Sequence, residues 1–358
     1  MELSVCIIAK NEEKNIERCL KSLIPLALEI VVVDTGSVDA TKAVARQYTP
    51  HVYDFKWCDD FAAAKNFALQ KASWPFVLVL DCDESIQSCD LIRLKNLIMR
   101  HPGQVGRIQR VNLFTRNNLE QEYTEWLNRI FSRDLYCYRG KIHEQVESVS
   151  GGEYETYQAP VVICHTGYDL TPDEKQRKAK RNHLLLKQEY ERLCSQSDEK
   201  EREQQLPYII YQLGKSCYMA EDYGAAAAYF SEGLSFDLNP RLEYVIDMVE
   251  TYGYALLNSG RAKEALFFEN IYDEFGGTAD FKFLMGLIYM NNECFDQAVS
   301  EFLKAAEFAS CRTKGVNSYS AFYNIGVIFE CLGEKEKACE YYKKCGNYKP
   351  AVRQLAGL

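Results

Sequence analysis

One stretch decides the fold: FVLVLDCDE, at residues 76–84. Five consecutive apolar residues are followed by two aspartates with one residue between them. A strand that is apolar at every position is typical of a parallel sheet buried on both faces. Ligands of such sheets bind beyond the carboxyl ends of the strands, which is where Asp81 and Asp83 stand. Since side chains two residues apart share one side of an extended chain, the pair suits a hard divalent cation that holds a diphosphate.

The same pattern of buried strands recurs on the N-terminal side of this stretch. Apolar runs occupy residues 3–8 and 29–33, and helical spacing of apolar residues marks 11–23, 39–48 and 61–72. Strands that alternate with helices imply right-handed βαβ units and a parallel sheet. Beyond residue 102 the strand signals become shorter and partly alternating, which predicts an antiparallel or mixed extension at residues 105–114, 129–131, 141–149 and 159–163.

Polar residues follow all three apolar strands, at the predicted carboxyl edge of the sheet. The first strand ends in AKNEE at residues 9–13 and the second in DTGS at residues 34–37. Lys65 lies one turn into an alanine-rich helix between them and the third strand. Neither a GxGxxG nor a GxxxxGK[ST] loop is present, so neither a Rossmann dinucleotide site nor a P-loop is supported.

The C-terminal half gives only helical signals and contains an internal repeat. Gly214, Gly286 and Gly326 are each followed after twelve residues by alanine and after sixteen by Phe or Tyr, and Gly253 begins a weaker copy. Small residues let paired helices approach closely, and the aromatic residues fill the gaps. We therefore predict a repeat array at 206–358, with a generic helical bundle as the alternative. A capped, charged helix from Thr171 predicts a connector at 171–205 after an N-terminal domain at 1–170.

Composition excludes several classes of protein. The 358 residues carry 42 basic and 51 acidic side chains, a net charge of −9, which argues against a nucleic-acid partner. No apolar stretch is long enough to span a membrane, and the N-terminus has no secretory signal pattern. The 14 cysteines include no CxxC pair, which indicates reduced, mostly buried thiols and a cytoplasmic protein.

Three ordered motifs in the first half resemble those of a known family. They are DTGSVDAT at residues 34–41, WCDDFAAAKN at 57–66 and LDCDE at 80–84. They resemble the family 2 glycosyltransferases of the GT-A fold, in the branch of lipopolysaccharide-core glucosyltransferases and bacteriocin peptide S-glycosyltransferases. The C-terminal repeat resembles the tetratricopeptide repeat. The resemblance implies an α/β fold: a Rossmann-like mixed sheet followed by an all-α helical array.

The resemblance also implies a role for each polar residue at the sheet edge. The nucleotide sugar would contact the ends of the first three strands and the helix between them. Lys65 replaces the more usual arginine and supplies charge without a bidentate fork. A Mg²⁺ or Mn²⁺ ion would neutralise the leaving diphosphate. The implied nucleotide-sugar residues are Ala9, Lys10, Glu12, Asp34, Lys65, Asp81 and Cys82, and the implied metal ligands are Asp83, Asp81 and His165.

Inversion at the anomeric carbon requires a base that deprotonates the acceptor. Glu144, after the glycine-marked turn at Gly140, is the first candidate, and Glu125 is the second. His143 would orient the base or contact a phosphate. An ordinary solvated acid remains the alternative for both carboxylates, as a structural histidine does for His165.

The sequence thus predicts transfer of a hexose from a UDP-hexose or UDP-N-acetylhexosamine. The acceptor would be held partly by the repeats, either a peptide Ser, Thr or Cys or a cell-surface glycan precursor. Homodimerisation is an alternative role for the repeats. Two other classes of protein remain: a scaffold with a degenerate transferase domain, and a sugar nucleotidyltransferase. The latter requires a glycine-rich N-terminal loop that residues 9–12 do not supply.

Overall fold

The computed structural model describes the backbone of residues 2–116, 119–166 and 172–358, and the side chains of these residues except 114–116, 119–120, 172–179 and 200–201. The chain forms two compact units, Met1–Lys178 and Ala179–Leu358. The finer division at residues 170 and 205 stays a prediction, and its predicted cap Thr171 lies outside the described residues.

The first unit begins with four parallel strands in the spatial order β3-β2-β1-β4. Nearly every residue of the three longer strands is buried, which explains their continuous apolar sequences. The strands are β1 (Leu3–Ala9), β2 (Glu29–Asp34), β3 (Val52–Asp54) and β4 (Phe76–Asp81), and the helices between them are α1 (Ile16–Leu23), a 3₁₀ turn (Ile24–Leu26), α2 (Thr41–Ala45) and α3 (Phe61–Lys71).

The sheet continues with mixed pairing and reaches eight strands in the order β3-β2-β1-β4-β7-β6-β10-β5. β7 is antiparallel to β4 and β6, β10 is parallel to β6, and β5 is antiparallel to β10. The mixed extension is therefore confirmed. Its elements are β5 (Glu84–Cys89), α4 (Leu91–Arg100), β6 (Val105–Arg116), β7 (Leu119–Ser132) and β10 (Thr156–His165), with a separate hairpin of β8 (Tyr136–Arg139) and β9 (Gln145–Ser148).

Several predicted boundaries were wrong, each for a local reason. The strand expected at 141–149 contracts to β9 because Gly140 and His143 have φ of 95° and 51°, which no extended chain adopts. The helix expected at 39–48 contracts to α2, after Asp39 accepts a hydrogen bond from the Thr41 amide at 3.0 Å. The strand expected at 129–131 is the end of β7. The rest of β7 is a strand because it pairs with β6, and no local sequence pattern predicts this pairing.

The second unit is helical throughout its described residues. α5 (Pro172–Cys194) runs across the boundary of the two units, and α6 begins inside the charged stretch that was predicted to be connector. The remaining elements are α6 (Glu199–Met219), α7 (Tyr223–Gly233), α8 (Glu243–Asn258), a 3₁₀ segment (Glu264–Ile271), α9 (Tyr272–Phe275), α10 (Ala279–Asn291), α11 (Phe295–Ala306), α12 (Tyr319–Cys331), α13 (Lys335–Lys344) and α14 (Lys349–Gly357).

The glycines of the repeat lie where two helices cross closely. A Cβ placed on Gly286 would stand 2.6 Å from the ring of Phe302, sixteen residues on, and Gly214 and Gly326 meet Phe230 and Tyr342 at 2.5 Å in the same way. In the weaker copy Gly253 meets Leu284 instead, at 2.7 Å, and the second helix is replaced by the 3₁₀ segment. Close packing of glycine against an aromatic ring is thus the physical basis of the sequence repeat.

Two further predictions concern the chain as a whole. Among the described residues no helix combines the length and the apolar character that crossing a bilayer requires. All 14 cysteines are free, but only five are buried and three are exposed, so the expectation of mostly buried thiols was too strong. The cytoplasmic location stays a prediction.

Candidate functional site

The carboxyl edge of the parallel strands gathers the predicted nucleotide-sugar residues. In the ladder Ala9 pairs with Asp34, and the neighbouring Ile8 pairs with Asp81, so the ends of β2 and β4 flank the end of β1. The loop after β1 is fastened to the loop after β2 by the Glu12 amide, which donates to Thr41 Oγ1 at 2.7 Å. Lys10 is exposed and its Nζ lies 5.7 Å from the ring centre of Trp57.

Asp34 is only 2% exposed, and only one of its two carboxylate oxygens accepts hydrogen bonds from the described residues. Its Oδ2 accepts hydrogen bonds from the backbone amides of Gly36 at 3.1 Å and Ser37 at 3.0 Å. Its Oδ1 is buried and has no hydrogen-bond partner in the described part of the chain. A buried oxygen in that state costs free energy unless a ligand supplies a donor.

Asp81 is held by two buried cations. Its Oδ2 accepts from Arg129 Nη2 at 2.8 Å, and its Oδ1 lies 3.1 Å from Lys65 Nζ. Burial would raise the pKa of Asp81, but the charges of Arg129 and Lys65 outweigh it and hold that pKa well below its usual range. Burial alone would lower the pKa of Lys65, and the charges of Asp81 and Glu144 raise it instead. Arg129 Nη1 is buried without a hydrogen-bond partner among the described residues.

Glu84 and Arg110 connect this cluster to the next, and sequence reasoning gave neither a role. Glu84 is fully buried, and its Oε1 accepts from Arg129 Nη2 at 3.2 Å and from Arg110 Nη1 at 3.1 Å. Its Oε2 accepts from the Asp81 amide at 2.9 Å, which fixes the turn after β4. Arg110 also donates to Glu125 Oε1, through Nη2 at 2.8 Å. Only the pairing of β6 with β7, which places Arg110 opposite Glu125, could have revealed the link.

Asp83 faces a histidine instead of the cations that hold Asp81. Its Oδ2 lies 3.3 Å from His165 Nε2, and both side chains are mostly buried. His165 is the last residue of β10, where it pairs with Asn112 on one side and Glu84 on the other. The prediction that Asp81 and Asp83 share one side assumed an extended chain, whereas β4 ends at Asp81 and the chain turns at residues 82–83.

A carboxylate and an imidazole that converge in this way fit a divalent metal ion. Both are metal ligands, and oxygens of a diphosphate and water could complete the coordination shell. The described residues contain no group of three or more His, Cys, Asp or Glu side chains able to hold a metal. The fit therefore rests on Asp83 and His165 together with a ligand, while the Asp81 carboxylate is directed to Lys65 and Arg129.

The candidate bases lie in two different clusters. Glu144 contacts Lys65 Nζ at 2.5 Å and so belongs to the Asp81 cluster. The loop that carries it is fixed to the start of α3 by the Phe61 amide, which donates to Lys141 O at 2.9 Å. His143, just before Glu144, has a left-handed backbone with φ of 51°. Glu125 instead accepts from Arg110 and from Asn112 Nδ2, the latter at 2.6 Å.

Cys82, the last of the predicted nucleotide-sugar residues, has a buried thiol. The Sγ atom donates to Ile8 O at 3.3 Å, and burial raises the pKa of this thiol well above its ordinary value. Its side chain is therefore hydrogen-bonded to β1, and a contact of Cys82 with the nucleotide sugar would have to come from its backbone.

Comparison with known protein families gives one match in each unit. Residues 4–160 match the model "Glycosyl transferase family 2", and residues 319–351 match "Tetratricopeptide repeat". The glycosyltransferase SunS of Bacillus subtilis is 24% identical over 64% of this chain and 52% of its own length. The lipopolysaccharide core biosynthesis glycosyltransferase LpsC of Rhizobium meliloti is 36% identical over 30% of this chain and 40% of its own. A TPR repeat-containing protein of Synechococcus elongatus is 39% identical over 24% of this chain and 21% of its own.

Solved structures are similar to this chain only at low identity. S. aureus TarS 1–349 is 15% identical, with a TM-score of 0.38 over 87% of this chain and 93% of its own. The TPR protein YrrB is 18% identical, with a TM-score of 0.39 over 52% of this chain and 87% of its own. The chain spans from about a fifth to about half of the length of the three curated relatives. The N-terminal unit thus contains a region, residues 4–160, that matches glycosyltransferase family 2, and the C-terminal unit contains one, residues 319–351, that matches the tetratricopeptide repeat.

Proposed function

We propose that this protein is a metal-dependent, inverting glycosyltransferase that moves a hexose from a UDP-hexose or UDP-N-acetylhexosamine to an acceptor held partly by the repeats. The observation that carries the proposal is the arrangement after β4. Asp81 is neutralised by Lys65 and Arg129, while Asp83 and His165 converge to 3.3 Å within the same family 2 domain. One acid is thus held by cations, and the contact of the other with His165 supports the proposal of a metal ion beside it.

The donor would lie across the ends of β1, β2 and β4. The buried Oδ1 of Asp34 offers an acceptor for a base N–H or a ribose hydroxyl. The ion Mg²⁺ or Mn²⁺, held by Asp83 and His165, would supply a Lewis acid that neutralises charge on the leaving diphosphate. The buried cations Lys65 and Arg129 neutralise Asp81 at the same edge, so this carboxylate would not repel the charge that builds up on the diphosphate as the bond to the sugar breaks.

The acceptor side is assigned to the loop of Glu144. Its carboxylate would take the proton of the attacking hydroxyl or thiol, on the face of the sugar opposite the diphosphate. Lys65 contacts both Glu144 and Asp81, so it would hold the proposed base close to the donor side of the site. The contact with the acceptor therefore depends on the loop that ends at β9.

The repeats of the second unit support a proposal for the acceptor. Tetratricopeptide arrays present surfaces to extended peptides, which favours a peptide Ser, Thr or Cys. The likeness to LpsC, whose name refers to lipopolysaccharide core biosynthesis, favours a glycan precursor as the second candidate. A homodimer through the helical unit is a third role that we propose to test by light scattering.

Binding of the donor is the decisive experiment. We expect UDP-glucose or UDP-N-acetylglucosamine with Mn²⁺ to raise the melting temperature of the wild type, and Asp83→Ala to abolish that rise. Asp54→Ala is the matched control, because Asp54 ends the edge strand β3 and its exposed carboxylate contacts Lys42. If no nucleotide sugar stabilises the wild type with or without metal, the scaffold alternative replaces the enzyme.

The base is tested separately. Glu144→Gln should leave the donor-induced rise in melting temperature intact while transfer collapses, and Glu147→Gln, on the exposed pair with Arg139, should leave both unchanged. Unchanged turnover in Glu144→Gln would eliminate Glu144 as the base. Acceptors would be sought by mass spectrometry, with synthetic peptides containing Ser, Thr or Cys and with lipid-linked saccharides.

A further inference from the structure

A chain of hydrogen bonds leads from Glu125 through Asn112 to His165. Asn112 is 3% exposed, and its amide Nδ2 donates to Glu125 Oε1 at 2.6 Å. Its Oδ1 lies 2.8 Å from His165 Nδ1, and His165 Nε2 lies 3.3 Å from Asp83. Arg110 donates twice to the same Glu125 oxygen, through Nε at 3.1 Å and Nη2 at 2.8 Å.

The chemistry of the groups fixes the direction of each bond. An ionised carboxylate only accepts, so the end of the Asn112 amide that faces Glu125 must be its NH₂ group. The amide oxygen then faces the imidazole and can only accept. His165 must therefore carry a proton on Nδ1, because two acceptors at 2.8 Å would otherwise oppose each other.

We propose that Glu125 and Asn112 are positioning residues that keep a ring proton of His165 on Nδ1, so that Nε2 is the nitrogen that would bind the metal beside Asp83. The proposal rests on the proposed function, because the metal and diphosphate are what that nitrogen would serve. It replaces the alternative that Glu125 is the base. The double contact with Arg110 keeps Glu125 oriented, and outer partners of this kind commonly fix the ring of a metal-binding histidine.

The tautomer is measured directly in the metal-free protein. Chemical shifts of ring-labelled histidine show which ring nitrogen carries the proton. Of the five histidines, His165 is assigned by the signal lost in His165→Gln. We expect the wild type to be protonated at Nδ1 and Asn112→Leu to populate the form protonated at Nε2. Asn128→Leu, on β7, where Asn128 donates to Tyr154 at 3.0 Å, is the matched control and should keep the wild-type tautomer.

Metal affinity gives the second readout. Titration with Mn²⁺ followed by electron paramagnetic resonance should show a loss of about 10–100-fold in Asn112→Leu, the usual cost of removing an outer partner. Glu125→Gln retains an oxygen at Oε1 for Arg110 and Asn112, so it should keep both the tautomer and Mn²⁺ binding within about threefold of the wild type. Glu125→Leu should lose both, and it serves as the second variant where Asn112→Leu fails to fold.

The outcomes separate this proposal from the proposed function. A wild-type His165 protonated at Nε2, or an Nδ1 tautomer that persists in folded Asn112→Leu and Glu125→Leu, overturns the positioning role. Loss of transfer in Glu125→Gln with tautomer and Mn²⁺ binding unchanged would return Glu125 to the role of base. If the wild type binds neither Mn²⁺ nor a nucleotide sugar, the transferase proposal is refuted. The positioning role of Glu125 and Asn112 toward a metal is then refuted as well, even if Nδ1 is protonated.

Discussion

Replacing Gly286 by alanine tests the packing on which the repeat depends. Gly286 lies in α10, and a Cβ on it would stand 2.6, 2.7 and 2.9 Å from three ring atoms of Phe302. Phe302 is fully buried in the facing helix α11, so its ring cannot swing into solvent. Alanine would gain about 1 kcal/mol of helix propensity over glycine. Overpacking costs about 1–3 kcal/mol, and three contacts under 3.0 Å to a fully buried ring place Gly286 in the upper part of that range, at about 2–3 kcal/mol. After the gain in helix propensity, we expect a net loss of about 1–2 kcal/mol in the free energy of unfolding.

Urea unfolding of the full chain measures this loss. Ellipticity at 222 nm follows mainly the second unit, whereas all three tryptophans lie in the first unit and their fluorescence should not change. Gly224→Ala is the matched control in α7. The nearest atom to its new Cβ is Asp222 Oδ1 at 4.0 Å, so this substitution should stabilise the protein by about 0.5–1 kcal/mol.

A double mutant isolates the contact itself. Leucine at position 302 removes the ring edge, so Gly286→Ala should cost less in the Phe302→Leu background, with a coupling of about 1 kcal/mol or more. Additive effects of the two changes, or a Gly286→Ala protein as stable as the wild type, would refute the claim that close glycine–aromatic packing underlies the repeat.

Three further changes test other parts of the structure. Lys65→Met leaves Glu144 without its buried partner and should lower the stability of the first unit by about 3 kcal/mol in fluorescence-detected urea unfolding, whereas Lys65→Arg should keep most of it. Asp60→Ala removes the cap whose Oδ1 accepts from the Ala63 amide at 2.8 Å and should cost about 1 kcal/mol in the same assay; no loss would show that the cap is dispensable. Burial, with Asp280 and Asp247 nearby, raises the pKa of Glu250 from 4.5 to about 8 despite its contact with Arg312. The folded state then keeps a proton that the unfolded state releases, so stability should fall between about pH 4.5 and 8, by at most about 1.4 kcal/mol per pH unit, and Glu250→Gln should flatten that slope in ellipticity-detected urea unfolding.

The parallel half of the sheet and the repeats could be predicted because their signals are local. A strand buried on both faces is apolar at most positions, and the polar residues of β1, β2 and β4 are limited to Ser4, Glu29, Asp34 and Asp81. The glycine–aromatic spacing of the repeat follows from one pair of helices. By contrast, β5 has the polar sequence ESIQSC and is a strand because it pairs with β10. Its own residues do not predict that pairing.

The acids of the site and Lys65 could be predicted from the sequence, but its two arginines could not. Asp34, Asp81 and Asp83 follow strand ends, which a sequence pattern locates. Arg129 and Arg110 lie within β7 and β6, and they approach β4 and β5 only through the order of the strands in the sheet. Residues separated by 26 to 48 positions thereby become ion-pair partners of the acids, and no spacing rule specifies them.

The turn between β4 and β5 decides how the two aspartates divide their roles. Had β4 continued through Asp83, both carboxylates would have pointed to one side and competed for the same cations. Instead the Asp81 amide donates to Glu84 Oε2, and Glu84 binds both Arg129 and Arg110. The turn is thus fixed by the same buried carboxylate that gathers the arginines. Asp83 is left beside His165, and a change at Glu84 should therefore disturb both the cationic cluster and the pair of proposed metal ligands.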